Sequence, residues 1–442
     1  MNSTNMKLVS IVLLLHYKRT QQIQLYYRIY RLMNSNKKPT WKMLSFINQH
    51  YTELFPETRI INHKFYNRYF WHKEIPAMTT EEFRSHFRVQ RKSFSLLASL
   101  LQERYYHPNA QGGRPQYPCD FALGIFIWRI SNKATCREIA QQFGVPRSAV
   151  VNITTTMTNL IITHLGHVMQ LPTTEDLWRE KAKIYTGYQF NNNRMQYPVG
   201  AIDGSHIPIK PPQLEHHPEA YFNRLGYHSV VLMALVDRTG LFMAINVGRP
   251  GCLTDATVFD WSEMSKQIPK AMPAEHYIVG DSGFGLDYWL MVPVKETRTL
   301  DEKEEFYNTV HASNRNIIER SFGLLKGRFR KLQYIDMNNL AKLAALIKAT
   351  ILIYNFLLIE KDYNNQEWYY DDEEKSDEDP IPADPFTLYF ELAEHQQFNE
   401  QNSNYTNFIY NNTQRMNMAS WGRYIKLARE NVINSVWELN SH

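Results

Sequence analysis

The sequence predicts a mixed α/β domain with helical regions before and after it. Three observations carry this. Apolar runs of strand length alternate with helical spacing between residues 197 and 335. Residues 76–165 show helical periodicity on both sides of a break at 107–118. The segment 385–442 returns to helical periodicity after an Asn-rich stretch at 399–412.

The chain has 442 residues, enough for about three domains and a sizeable core. Its 43% apolar and 21% charged residues are ordinary for a globular protein. The net charge is only +5, but it is unevenly placed. Residues 1–110 hold 17 Lys and Arg against 6 Asp and Glu, which suggests a polyanionic partner. Residues 367–384 hold 9 acids against one Lys and read as a solvated linker. Three cysteines, Cys119, Cys136 and Cys252, are too few and too scattered for a disulfide framework or a zinc finger, and fit a reducing compartment.

Residues 1–75 read as a basic helical extension with Tyr26, Tyr27, Tyr30 and Trp41 interleaved. The apolar run 8–15 is too short to span a bilayer, and no membrane partner is expected. A new helix starts at Pro76 and Thr79-Thr80-Glu81-Glu82, with Phe83, Phe87, Phe94, Leu97 and Leu100 at helical spacing. Residues 107–118, rich in Gly and Pro, break it.

Residues 134–153 carry a helix-turn-helix pattern. Helix 137–143 turns Ile139, Ala140 and Phe143 inward, and Gly144-Val145-Pro146 makes the turn. Helix 147–161 offers Arg147, Ser148, Asn152 and Thr154 to Thr156. A DNA-reading helix and a plain three-helix bundle both fit this pattern.

From 197 onward the expected elements are a strand at 199–203, then two runs at 229–236 and 241–247. Those two runs flank the hairpin turn Asp237-Arg238-Thr239-Gly240. A helix at 255–268 with Thr254 as N-cap follows, then strands at 276–280 and 290–294 and a helix at 314–332. Strand, hairpin, helix, strand, strand, helix is the order of a ribonuclease-H-like α/β domain, a mixed sheet flanked by helices. Residues 210–228 would be an insertion, and 338–361 one more apolar helix. The predicted organisation is thus a basic extension (1–75), a helical region with the helix-turn-helix (76–170) and an α/β domain (195–361). An acidic linker (362–384) and a helical tail (385–442) complete it.

Three carboxylates stand in suggestive contexts. Asp203 in Val-Gly-Ala-Ile-Asp-Gly and Asp281 in Tyr-Ile-Val-Gly-Asp-Ser-Gly follow apolar runs and precede glycine or serine-glycine, which puts each at an expected strand end. Glu319 lies on a helix. Converging, they can hold a pair of Mg²⁺ ions, or Mn²⁺ in their place, and so serve phosphoryl transfer. On the wheel, Ile318, Phe322, Leu325, Phe329 and Leu332 form an apolar stripe. Arg315, Glu319, Gly323, Lys326 and Arg330 form a neighbouring basic one. That stripe suits a phosphate backbone, but Glu319 also has the spacing for an i,i+4 ion pair with Arg315. Asp255, by its position alone, is a first-turn acid that favours the helix dipole. His206 fits either a DNA contact or packing, and His311 reads as solvated.

Four ordered blocks resemble the PIF/Harbinger-type DDE transposases and the nucleases derived from them. These are Asp-Gly-Ser-His-Ile-Pro-Ile (203–209), the stretch 227–251 with Thr-Asp-Ala-Thr-Val-Phe (254–259), Gly-Asp-Ser-Gly-Phe (280–284) and Ile-Glu-Arg-Ser-Phe-Gly-Leu-Leu-Lys-Gly-Arg-Phe (318–329). Ser205 stands where Thr is commoner and Phe284 where Tyr is commoner. The resemblance implies Asp203, Asp281 and Glu319 as a catalytic triad and metal ligands, with Asp255 as a further metal position. It implies a nuclease or transposase that cuts double-stranded DNA and can join strands; the helix-turn-helix pattern and the basic stripe make Arg147, Ser148, Asn152, Arg315, Lys326 and Arg330 the expected DNA contacts. A nuclear location, a homo-oligomer and a Myb-like DNA-binding partner protein are implied too. The alternative is a domesticated, catalytically silent DNA-binding or scaffold protein that keeps the fold; retention of all four acids favours the enzyme.

Overall fold

The computed structural model describes residues 68–105, 117–187, 195–362 and 418–440. The basic extension up to residue 67, the acidic linker from 363 to 384 and the tail from 385 to 417 lie outside the described residues.

The helical layer follows local rules. α1 (Thr80–Phe87) starts with a reciprocal cap between Thr79 and Glu82 and ends at Arg88 in the left-handed region, φ 59°. α2 (Arg91–Tyr105) and the nearly all-apolar α3 (Cys119–Ser131) pack against it. α4 (Cys136–Gln142) is capped by the same device, Thr135 with Glu138. Gly144 takes φ 60°, a conformation that favours glycine, and α5 (Arg147–Leu165) begins straight after Pro146. Ile139, Ala140 and Phe143 are buried, whereas Arg147, Ser148 and Asn152 line an exposed face of α5. Thr154 turns inward instead. Its hydroxyl donates to Val150 O at 2.7 Å and meets Arg129 Nη1 at 3.3 Å. α6 (Glu175–Gly187) leads towards the sheet.

The sheet has five strands in the order β3-β2-β1-β4-β5, mixed as expected. β1 (Pro198–Pro208) pairs antiparallel with β2 (Ser229–Val236), and β2 pairs antiparallel with β3 (Phe242–Pro250). On its other side β1 runs parallel to β4 (Tyr277–Gly280), and β4 to β5 (Leu290–Met291). The β2–β3 turn closes on Asp237, whose Oδ1 accepts the N–H groups of Thr239 and Leu241. The helix expected over 255–268 divides into α7 (Asp255–Asp260) and α8 (Met264–Ala271). At the break Ser262 Oγ donates to Phe259 O at 2.6 Å, the competition with backbone bonding typical of serine.

α9 (Glu302–Arg328) starts well before the predicted 314, because Asp301 and Glu304 form a capping box there. α10 (Leu340–Ile359) is apolar and long enough to cross a bilayer, but it is a core helix, buried over most of its length. α11 (Met418–Asn440) docks on α9, with Phe306 and Trp437 edge to face at 5.8 Å.

One apolar core lies between the sheet and α9 and α10 and continues without a break into α1 to α5. A second fills the other face beneath α6, α7 and α8. A buried ion pair joins the layers. Arg328 meets Asp362 Oδ1 at 2.9 Å and also donates to Arg88 O and Asp362 O. Asp362 Oδ2 accepts the N–H of Gln90 at 2.8 Å.

Candidate active site

Strand register builds the centre of the site. Ile202 pairs with Gly280 at the end of the parallel ladder, so Asp203 is the next residue of β1 and Asp281 the first residue beyond the neighbouring β4. Asp203 is not at the end of its strand, contrary to the expectation. β1 continues to Pro208 because β2 keeps pairing with it, Asp203 opposite Ala234. The glycine after Asp203 does not stop a strand that has a partner on one side.

Asp203 faces α9. Its Oδ1 accepts the N–H of Gly204 at 2.8 Å and its Oδ2 accepts from Arg315 Nη1 at 2.7 Å. The other arm of that guanidinium, Nη2, donates to Glu319 Oε1 one turn further along. The i,i+4 ion pair open at the sequence level therefore exists, and it extends to Asp203. Asp281 caps its own turn, with Oδ2 accepting from Gly283 N at 3.3 Å, while Phe284 anchors that turn in the core. Asp255 is the first residue of α7, whose N-cap is Thr254 as predicted. It packs on the other face of β1, over Gly204. A β-carbon on that glycine would lie 1.9 Å from Asp255 Oδ1, so only glycine permits the approach.

The electrostatics couple these groups. Burial pushes the Asp203 carboxyl up to about 7. Arg315 and the Gly204 N–H oppose the rise, and Asp255 and Glu319 add to it. Burial also raises Asp255, against the pull of Arg224 and with a push from Asp281. Burial disfavours the Arg315 charge, yet Asp203, Glu319 and Asp281 together hold it above the usual arginine range.

Among the described residues, no three carboxylates or histidines stand close enough to form a finished metal cage. The donor chemistry of the four acids is nevertheless the kind a hard divalent cation takes. Every donor is a carboxylate oxygen, and excess negative charge is concentrated where Arg315 supplies the local positive charge.

Several expected DNA contacts fare differently. Arg330 is exposed, at the start of a short 3₁₀ turn (Arg330–Gln333). Lys326 is 1% exposed, so it offers nothing to a phosphate, and its placing among the DNA contacts is corrected. From Ser321 to Arg328 every residue of α9 is buried, Gly323 and Lys326 of the basic stripe among them. His311 is buried, not solvated. Its Nε2 lies 3.1 Å from Met291 O, and burial pulls its pKa down to about 4. His206 bonds through Nδ1 to Ser229 Oγ at 3.0 Å, which Asn223 Nδ2 also meets, so it belongs to a packed polar network. The sequence reading missed Arg224, the cation nearest in effect to Asp255. Its only signal was a basic residue in the insertion that precedes β2.

The family of DDE superfamily endonucleases matches residues 202–355, from the residue before Asp203 to near the end of α10. "Putative nuclease HARBI1" of Rattus norvegicus is 25% identical over 261 residues, 59% of this chain and 71% of the relative. These likenesses support the harbinger transposase-derived nuclease family for this chain. Its similarity to "Putative nuclease HARBI1" of Bos taurus is 36% over 134 residues, 30% of this chain and 37% of that one. "Protein ALP1-like" of Arabidopsis thaliana is 26% identical over 298 residues, 63% of this chain and 71% of its own. No solved structure matches the chain.

Proposed function

We propose that the protein is a metal-dependent DNA endonuclease of the PIF/Harbinger transposase type, with Asp203, Asp281 and Glu319 as its triad and Asp255 as a further cation ligand. The observation that carries this reading is the pairing of Ile202 with Gly280. It aligns a carboxylate on β1 with one just beyond β4, and Arg315 links the first of them to Glu319 on the facing helix.

Divalent cations held there supply activation of a water or a 3′-hydroxyl and stabilisation of the departing oxygen in phosphodiester cleavage and strand transfer. Asp203 would hold such a cation once its carboxyl has lost its proton. Gly204 lets Asp255 close the site from the far side of β1. Arg147 and Arg330 suit phosphate contacts, while Ser148 and Asn152 suit base edges. A nuclear location, a second copy of the chain and a Myb-like partner belong to the same proposal.

The test is nicking of duplex DNA by the purified protein in Mg²⁺, beside Asp281→Ala, Asp203→Ala and Glu319→Ala. The expected result is metal-dependent cleavage lost in each variant, with DNA binding kept. Near wild-type cutting by any of the three overturns the triad. No cutting of DNA that the wild type binds favours the silent binding protein.

A further inference from the structure

We infer that Arg315 is a built-in counter-cation of the carboxylate cluster, displaced by the divalent metal and then directed to the substrate phosphate. This rests on the metal-site reading above and assigns the same guanidinium two successive partners.

The geometry is that of a plug. Arg315 rises from α9 one turn before Glu319 and spans to β1, holding Asp203 Oδ2 with one nitrogen and Glu319 with the other. Asp203 Oδ1 is already committed to the Gly204 N–H. Of the oxygens these two triad members would give to a cation, Arg315 therefore holds Asp203 Oδ2 and Glu319 Oε1. A dication and a guanidinium sharing the same carboxylates repel each other, and at short range with restricted solvent that repulsion is strong. Arg315 is half-buried, its side chain 21% exposed, so water screens the conflict only in part.

What surrounds Arg315 leaves it a way out. His311, one turn earlier on the same face of α9, is buried with its Nδ1 unpartnered and stays uncharged, so it sets no second cation against the arginine. Glu319 is the more open end of the bridge, with 40% of its side chain exposed. Once metal neutralises the acids, the strongest anion left for Arg315 at the mouth of the site is the DNA phosphate. A planar guanidinium can bind that phosphate through two nitrogens. Without metal, the arginine keeps Asp203 and Glu319 in place and blocks the cluster from stray cations.

The experiment compares Mn²⁺ binding by wild type, Arg315→Met and Arg315→Lys in calorimetry, together with melting temperatures in EDTA and in Mn²⁺. Loss of the competing cation should tighten Mn²⁺ binding by Arg315→Met on the order of tenfold. That variant should melt lower than wild type in EDTA and gain more from Mn²⁺. Arg315→Lys keeps the charge and should bind Mn²⁺ within a few-fold of wild type. The second partner is read from the salt dependence of binding to a short duplex. Arg315→Met should lower the slope of log affinity against log salt by about one in Ca²⁺ and leave it unchanged in EDTA. Wild type that binds Mn²⁺ while Arg315→Met binds it no tighter overturns the counter-cation. An equal slope for both proteins in Ca²⁺ overturns the phosphate step. Failure of all three proteins to bind Mn²⁺ overturns the metal-site reading itself, and this inference with it.

Discussion

Gly204 and Asp255 touch across the surface of the sheet, so closely that a single β-carbon on the glycine would sit 1.9 Å from the carboxylate oxygen. The contact links a residue next to Asp203 with the first residue of α7. Gly204→Ala should push Asp255 away and weaken Mn²⁺ binding about tenfold, with a stability loss of about 1–3 kcal/mol, the usual scale for overpacking. Calorimetric Mn²⁺ titration and thermal melts check this. Unchanged affinity would mean that Asp255 is not a ligand.

Metal binding should tighten with pH. Burial raises the Asp203 carboxyl from 3.8 to about 7, so below neutrality the folded protein keeps a proton that a cation must expel. Affinity at pH 8 should exceed that at pH 6 roughly tenfold, since the ionised fraction changes by about that factor around a pKa of 7. The same shift has a stability sign. Between about pH 4 and 7 the folded state holds a proton that the unfolded state has released, so this group's contribution falls as pH rises. A flat Mn²⁺ profile from pH 6 to 8 contradicts this.

His276 works in the opposite direction. Buried at the foot of β4, its pKa is lowered from 6.5 to about 4, chiefly by burial and further by Arg179. The unfolded chain then binds a proton first on acidification. The stability that depends on the neutral ring is complete above about 6.5 and is lost as pH falls towards 4, by up to about 3 kcal/mol. His276→Leu should flatten the denaturant midpoint against pH over that window. A slope equal to wild type would assign the acid sensitivity to other groups.

Asp362→Ala should be among the most damaging single changes. It strands the Arg328 guanidinium, 3% exposed, without its carboxylate, and removes the acceptor for Gln90 N. Breaking one partner of a buried pair costs about 3–5 kcal/mol, more than removing both. Urea unfolding of Asp362→Ala and of the double variant Arg328→Met/Asp362→Leu should therefore rank the double variant as the more stable.

Arg147 and Lys326 separate exposure from sequence pattern. Arg147→Ala should lower the salt slope of duplex binding by about one. Lys326→Met should leave that slope unchanged, because its ammonium is enclosed. A reduced slope for Lys326→Met would require α9 to open.

The order of elements was legible because each strand of the sheet is marked by its own apolar run and helix starts such as those at Thr79 and Thr254 by a cap. Asp203, Asp281 and Glu319 could be picked out because two followed strand signals and one broke a basic stripe. Other features were hidden for identifiable reasons. The length of β1 depends on β2, a partner more than twenty residues away, so local sequence stopped it at Gly204. The burial of Lys326 and His311 depends on what covers α9, and a helical wheel records only which residues share a face. Arg315 was visible both as a basic residue and as an ion-pair partner of Glu319. Its second bond, to Asp203, needed the sheet and the helix in one frame.

α9 behaves as a beam fixed at both supports. Its 27 residues span roughly 40 Å. Near one end the Asp301 cap and the α11 docking hold it, and at the other the Arg328 clamp ties it to Arg88 and Asp362. Glu319 sits between, so a local tilt of the helix to suit an incoming ligand would work against both anchors. Adjustment in the site falls to Asp255 and Asp281, each carried on a short segment, while Glu319 serves as the fixed datum against which they move. A load applied to α11 would be transmitted along the beam and felt at that datum, far from where it was applied.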